Sequence, residues 1–253
     1  PPAPQAPITI DELEKALQKS KRGCAPGPDG LRLEHLKAAF FGSELAAGAI
    51  LQMANSMAKG ELGGYAAELR RPTGAEDPPD VLRACTLHAF TKENGKLRPI
   101  AVGGALRRLV GGILLRQVKS DVDTRMKKLG QHAFAKNGCE TVIHAIRTAM
   151  AEHPDHVLFS SDRSAAFQHA DRTHIVHMLL KSYPNLVPYY LTFYNDPSKL
   201  YYGDKYTLES EWGTMQGCSW GSFLYCLDTV DILAQLRHDY PDLLILAIAD
   251  DIY

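Results

Sequence analysis

The chain contains no run of about 18 apolar residues, so no segment reads as a membrane-spanning helix, and it does not open on a basic-then-apolar leader. No membrane partner is expected, and the chain reads as a soluble, intracellular protein. Cysteine is scarce: Cys24, Cys85, Cys139, Cys218 and Cys226 are an odd number with no Cys-x-x-Cys spacing. That argues against a disulfide framework or a zinc ribbon, and the thiols read as reduced filler. Net charge is also nearly absent, with 28 Lys and Arg against 29 Asp and Glu. Any phosphate-binding surface must therefore be local. The histidine pairs His153/His156 and His174/His177 stand at i, i+3 without cysteine neighbours, and are expected on solvated surface. At 253 residues, 45% of them hydrophobic, one or two domains are expected.

What the chain does have is a set of carboxylates at strand ends. Leu243 to Ala249 is seven apolar residues preceded by Pro241-Asp242, which predicts a buried strand delivering Asp250 and Asp251. Adjacent carboxylates repel and resist burial, so such a pair calls for a cation; the plain alternative is an Asp turn. A second β-type run, His156 to Ser161, ends in Asp162. Three carboxylates ending two strands suit hard Mg²⁺, and two such ions about 3.5–4 Å apart can hold the attacking and leaving oxygens of a phosphoryl transfer. Tyr253 follows Asp251 by two residues, too few to predict a return strand, so the Asp tip is expected to be loose.

The chain opens on PPAPQAP, a Pro-rich linker over residues 1–7 that reads as part of a longer chain. Thr9-x-x-Glu12 has capping-box spacing and predicts a helix from Ile10 to Lys21. The turn-rich segment Ala25 to Gly30, APGPDG, precedes a second helix near Leu31. Phe41 to Val81 reads as a helix and an irregular connector. Leu87 to Val102 around Asn94-Gly95 predicts a β-hairpin. If it closes on a three-residue loop, Lys92 and Arg98 lie opposite one another and could clamp a triphosphate; otherwise they form an exposed basic hairpin. Ala105 to Leu129 predicts an amphipathic helix, and from Lys92 to Lys128 ten Lys or Arg stand against three acidic residues. This is a candidate phosphate-tracking surface, including Arg107, Arg108, Arg116 and Lys119, or simply a solvated face. Gln131 to Met150 predicts a turn and a helix, Lys199 to Leu208 a strand pair around Gly203-Asp204, and Ser219 to His238 one helix.

Asp162 with Phe167, Met215-Gln216-Gly217 and Ala249-Asp250-Asp251 occur in an order that resembles the core motifs of reverse transcriptases. The APGPDG loop is similar to one preceding the fingers in non-LTR (LINE-like) retrotransposon enzymes. The resemblance covers Ile8 to Tyr253 and departs from the family pattern at Ile248, Ser161 and Cys218-Ser219. It implies an α+β right-hand polymerase fold: N-terminal helices and fingers over 8–150, and over 151–253 an incomplete palm, cut short after the Asp pair, whose antiparallel sheet packs on helices. The implied activity is RNA-directed DNA polymerisation for a retroelement. Asp162, Asp250 and Asp251 would be catalytic, with Asp162, the Arg163 carbonyl and Asp250 holding two Mg²⁺ or Mn²⁺. Lys92, Arg98, Phe167, Gln216 and Gly217 would bind the nucleotide, Phe167 excluding a 2′-hydroxyl. Implied partners are an RNA template, a DNA primer, deoxynucleoside triphosphates and the remaining domains of a longer polyprotein, and the implied location is the nucleus. These residues alone are expected to extend a primer poorly. The alternative is a catalytically inactive RNA-binding protein derived from the same fold.

Overall fold

The structure is a computed structural model describing residues 6–61, 78–93, 95–204 and 206–253. Residues 1–5 of the expected linker, the connector between 62 and 77, and Asn94 of the expected hairpin turn lie outside the described residues. The fold is α+β, about 53% helical, with a mixed sheet packed on helices. Among the described residues no helix is long and apolar enough to cross a membrane.

Three helices open the chain: α1 (Ile10–Gln18), α2 (Leu33–Gly42) and α3 (Glu44–Ala58). Thr9 and Glu12 close the predicted capping box on α1, the Glu12 N–H donating to Thr9 Oγ1 at 3.2 Å and the Thr9 N–H to Glu12 Oε2 at 2.9 Å. The helix stops at Gln18, short of the Lys21 expected. After α4 (Pro78–Arg83), the strands β1 (Cys85–Thr91) and β2 (Leu97–Gly103) form the predicted hairpin. The long α5 (Ala105–Lys128) then crosses the molecule and buries Leu106, Leu109, Val110, Ile113, Leu114, Val122 and Met126. Leu13, Leu17, Met57, Tyr189 and Trp220 belong to the same core. Trp220 Nε1 donates to the Gly111 carbonyl at 2.7 Å, and Tyr189 Oη to that of Arg107 at 2.7 Å. A Cβ at Gly111 would stand 2.5 Å from Tyr189 Oη, so the close approach requires glycine.

Helix α6 (Gly138–Glu152) precedes β3 (Ser161–Asp162), followed by α7 (Arg172–Ser182), α8 (Val187–Tyr194), β4 (Ser198–Tyr202), β5 (Tyr206–Ser210), α9 (Gly221–Asp228), α10 (Val230–Asp239), β6 (Ala247–Ile248) and β7 (Asp251–Ile252). Four strands run in the order β2-β1-β4-β5, with β1 parallel to β4. This sheet is thus mixed rather than antiparallel, whereas the one formed by β3, β7 and β6 is antiparallel throughout. The helical crossover between β1 and β4 is long enough to return the chain in the same direction.

Several expectations are corrected. The expected helix from Ser219 to His238 is two helices, Gly221–Asp228 and Val230–Asp239, interrupted at Thr229 alone, whose backbone relaxes to φ −98 and ψ −2. The expected strand over 243–249 shrinks to Ala247–Ile248, and the one over 156–161 to Ser161–Asp162. Leu243, Leu244, Val157 and Phe159 are exposed. Strands persist only where a neighbour offers backbone groups, and here the order β3-β7-β6 gives each strand two paired residues. A return strand does form: β7 pairs with β6, and Leu246 and Tyr253 exchange backbone bonds of 3.0 and 2.8 Å. Two residues suffice because the turn is tight.

The APGPDG loop docks on the junction of β2 and α5. A Cβ at Gly27 would lie 2.6 Å from the Gly104 nitrogen, while Arg108 Nη2 donates to the Ala25 carbonyl at 2.8 Å. Gly48, exposed within α3, has nothing within 4 Å of its would-be Cβ. Gly27→Ala should therefore lower stability by about 1–3 kcal/mol through overpacking. Gly48→Ala should raise it by roughly 0.5–1 kcal/mol. Denaturant titration of the two variants checks the contrast.

Candidate active site

The turn that joins β6 to β7 consists of Ala249 and Asp250, since Ile248 pairs with Asp251. Ala249 has φ +52, a left-handed conformation that a Cβ disfavours by roughly 1–2 kcal/mol. On the other side of β7, Asp251 pairs with Asp162. Directly paired residues project to one face with Cβ atoms about 4.5–5.5 Å apart, so backbone register alone brings two of the three predicted carboxylates together. The third, Asp250, sits at the tip. The Asp251 carboxyl is pushed above the usual range by burial, then by the charges of Asp250 and Asp162. Burial, then the Asp250 charge, push the Cys226 thiol up to about 12.

For a divalent cation the donor chemistry fits. These are hard oxygen donors, and the mutual repulsion registered at Asp251 is what a cation would relieve. Among the described residues no three His, Cys, Asp or Glu side chains are gathered into a ligand cluster.

From Asp162 the chain turns through Ala165, another alanine at positive φ (+50), into a 3₁₀ turn over Ala166–His169. The Phe167 ring, half-buried, stacks on Tyr225 with centroids 5.3 Å apart. Arg163 lies 3.9 Å from Asp228, and burial pushes the Tyr225 hydroxyl pKa up against the pull of Arg163. Asp228 is buried at the end of α9, accepts the Asp171 N–H at 3.2 Å and lies 3.5 Å from His174 Nδ1. Burial raises its carboxyl pKa, against the pull of the Asp171 N–H and His174. His174, expected as mere surface, also contacts Asp231 at 3.2 Å. Nothing in the sequence marks Asp228 as a hub.

The segment from Gly213 to Gly217 lies across this turn. Thr214 N–H donates to the Phe167 carbonyl at 2.7 Å, and the Gln216 carbonyl accepts from Ala101 of β2 at 2.7 Å. Gly217 has φ +107, and a Cβ there would meet the Ala101 carbonyl at 2.7 Å. Arg172 gathers the carbonyls of Gly213 (2.9 Å), Ser210 (3.0 Å) and Trp212 (3.3 Å). The sequence reading missed Arg172; its only signal is its position after Asp171, which caps α7. Gln216 and Gly217 are thereby tied to the strand that carries Arg98.

The predicted cations divide. The hairpin does close on a three-residue loop, but Lys92 then bonds to Lys96 (2.7 Å) and Arg98 pairs with Phe90. Lys92 and Arg98 are diagonal on one face, not opposite, because a three-residue loop over 93–95 sets that register. Arg107 is a correction: it is 3% exposed, its guanidinium 4.4 Å from the Phe193 ring centre and its Nη1 3.0 Å from the Arg83 carbonyl. A side chain so enclosed cannot reach a phosphate. It falls on the buried stripe of α5, which its charge concealed. Arg108 is partly buried and held by Ala25. Arg125 and Lys127 pair with Asp121 and Asp123 at 2.7 and 2.9 Å within the helix, which narrows the basic face. Arg116 and Lys119 are exposed beside Phe134, on the rim of one cavity.

No protein-family model matches the chain, and no curated protein matches its sequence.

A carboxyl whose pKa is raised by folding stabilises the fold below its unfolded pKa and loses that contribution as pH rises through the folded value. Without divalent cations, Asp251→Asn should therefore raise the melting temperature at pH 7, and the gain should vanish as pH falls below about 4, where carboxyls protonate. Melting curves across pH check it. Separately, Arg107→Ala should cost about 3–5 kcal/mol, as emptying a large buried site does, whereas Lys119→Ala should change stability by no more than about 0.5 kcal/mol. Chemical denaturation separates a core arginine from a surface lysine.

Proposed function

We propose that the chain is part of an RNA-directed DNA polymerase of the non-LTR retroelement type, with a right-hand arrangement of fingers over 8–150 and palm over 151–253. The observation that carries the reading is the pairing of Asp162 with Asp251 on neighbouring strands, with Asp250 at the turn beside them. The ties between the Gly213–Gly217 segment, the Phe167 turn and β2 add support, because they bring the remaining motifs to the same region.

In this reading Asp162 and Asp250, with the Arg163 carbonyl and support from Asp251, hold two Mg²⁺ or Mn²⁺, whose chemistry is to acidify a primer 3′-hydroxyl and neutralise phosphate charge. Lys92 and Arg98 bind the triphosphate, the arginine through its planar fork and the lysine as a point charge. Phe167, braced by Tyr225, leaves no room for a 2′-hydroxyl. The backbone of Gln216 and Gly217 underlies the nascent base pair. Arg116 and Lys119 track nucleic-acid phosphates; Arg107 takes no part.

Mg²⁺ or Mn²⁺ should raise the melting temperature, by an amount equivalent to about 2.7 kcal/mol at a hundredfold excess over Kd, and Asp250→Asn should reduce that rise. Single-turnover primer extension on an RNA template, with protein in excess so that even the poor extension expected of these residues alone registers, should incorporate deoxynucleotides in wild type and not in Asp162→Asn. Phe167→Val should erode sugar discrimination by a factor of roughly 10–200. Metal-independent RNA binding without incorporation would identify the chain as a non-catalytic RNA-binding protein instead. Neither binding nor incorporation would overturn both readings.

A further inference from the structure

The residue that fixes the conformation of the Asp turn is not in the turn. Gln131 is 1% exposed, and its side-chain amide embraces the backbone of Ala249. Gln131 Oε1 accepts the Ala249 N–H at 2.8 Å and Nε2 donates to the Ala249 carbonyl at 3.0 Å. Oε1 also accepts the Ala133 N–H at 3.1 Å. Two N–H groups converge on Oε1, so the flipped amide, which would set donor against donor, is excluded. The backbone around Gln131 is fixed independently. The Ala247 N–H donates to the Gly130 carbonyl and the His132 N–H to that of Ala247, both at 2.8 Å. Gly130 makes the approach possible with φ +82. Residues 130–132 thus form an added edge beside β6, and Gln131 reaches past it to the turn.

Ala249 is the residue at φ +52, and Asp250 and Asp251 follow it directly. A non-glycine residue persists in that region only where its surroundings over-determine it. The clamp grips both polar groups of this one residue from outside the hairpin. We propose that Gln131 is a positioning residue: its amide holds Ala249 in the left-handed conformation and so sets the direction in which the Asp250 carboxylate leaves the turn. The functional half of this inference rests on the polymerase reading above; the structural half does not.

The test uses the 253-residue chain, with Gln131→Met, which keeps length but loses all three side-chain hydrogen bonds, two of them to Ala249, and Gln131→Glu, which keeps the acceptor and opposes the Ala249 carbonyl. Each is made alone and with Ala249→Gly, since glycine adopts positive φ without the clamp. Amide exchange is followed at Leu246 and Tyr253, whose N–H groups close the β6–β7 hairpin, with amides of α1 as internal control. Mn²⁺ binding is followed by water-proton relaxation. Gln131→Met should speed exchange at the hairpin and weaken Mn²⁺ binding by about tenfold each, the factor of roughly one lost hydrogen bond, with α1 unchanged. Ala249→Gly should restore most of both. Equal hairpin exchange in wild type and Gln131→Met, or loss that Ala249→Gly does not rescue, overturns the clamp. If Gln131→Met fails to fold, Gln131→Glu with and without Ala249→Gly decides the same question. Loss and rescue of exchange in a protein that binds no Mn²⁺ upholds the clamp and overturns the metal reading.

Discussion

The arrangement depends on one irregular segment, 210 to 218, whose backbone is shared among four elements. Apart from the Cys218 N–H, which donates to the Met215 carbonyl at 3.0 Å, its polar groups find their partners outside the segment. The Ser210, Trp212 and Gly213 carbonyls go to Arg172, the Thr214 N–H to Phe167, the Met215 N–H to Tyr194 and the Gln216 carbonyl to β2. Buried backbone groups must find partners somewhere, and here each partner belongs to a different part of the molecule. The segment is rigid because it is held from outside. Gly213 and Gly217 are obligatory for the same reason: a Cβ at either would run into a carbonyl of the element to which it is tied. Through this segment the basic hairpin, the Phe167 turn and the paired acidic strands come to have one geometry instead of three.

Two arginines do what an apolar core alone could not. Arg107 lies among Phe193, Tyr194, Cys85 and Met215, while Arg172 is spread over backbone carbonyls and the Tyr194 ring. Guanidinium is planar and weakly hydrated, so it stacks on rings and forks between carbonyls at a smaller desolvation cost than an ammonium. Lysine at either position would present one compact charge to several scattered acceptors. Tyr194 touches both cations and also receives the Met215 N–H, so the start of α5 and the start of α7 are coupled through a single ring.

Much of the local structure was legible because it rests on short-range rules. The Thr9 capping box, the 85–103 hairpin, the strand pair 198–210 and the length of α5 all follow from capping, turn chemistry and periodicity. What misled were features decided by distant partners. Leu243-Leu244 and 157–159 read as buried strands by composition, yet pairing is confined to a few residues and they are exposed. Arg107 read as surface because arginine usually is, and only the aromatic residues of α8, some eighty positions later, make its burial tolerable. The order of the acidic motifs could be read from the chain. That Asp162 faces Asp251 rather than Asp250 is a matter of register, and register is set by a two-residue turn whose positive φ no Ala-Asp dipeptide announces.

Those left-handed alanines bear on how an acidic site can be made stiff. Ala165 follows Asp162 by three residues, and Ala249 precedes Asp250. Glycine at either position would relieve the strain, but it would also widen the set of conformations open to a turn that has to aim a carboxylate. Alanine narrows that set, provided the surrounding structure supplies the energy to hold it. At Ala249 the supply is visible in the Gln131 amide; at Ala165 it comes from the following 3₁₀ turn, whose Gln168 and His169 N–H groups both donate to the Ala165 carbonyl at 3.0 and 3.2 Å. Misplacement of reacting groups by about 1 Å can cost roughly a hundredfold in rate, so for the chemistry proposed, a strained but determined turn is worth more than a relaxed and mobile one. Among the described residues the third non-glycine at positive φ is Asn137, a residue type that visits this region readily, so the two alanines whose conformation must be held from outside are the ones that flank the acidic residues, where aim matters.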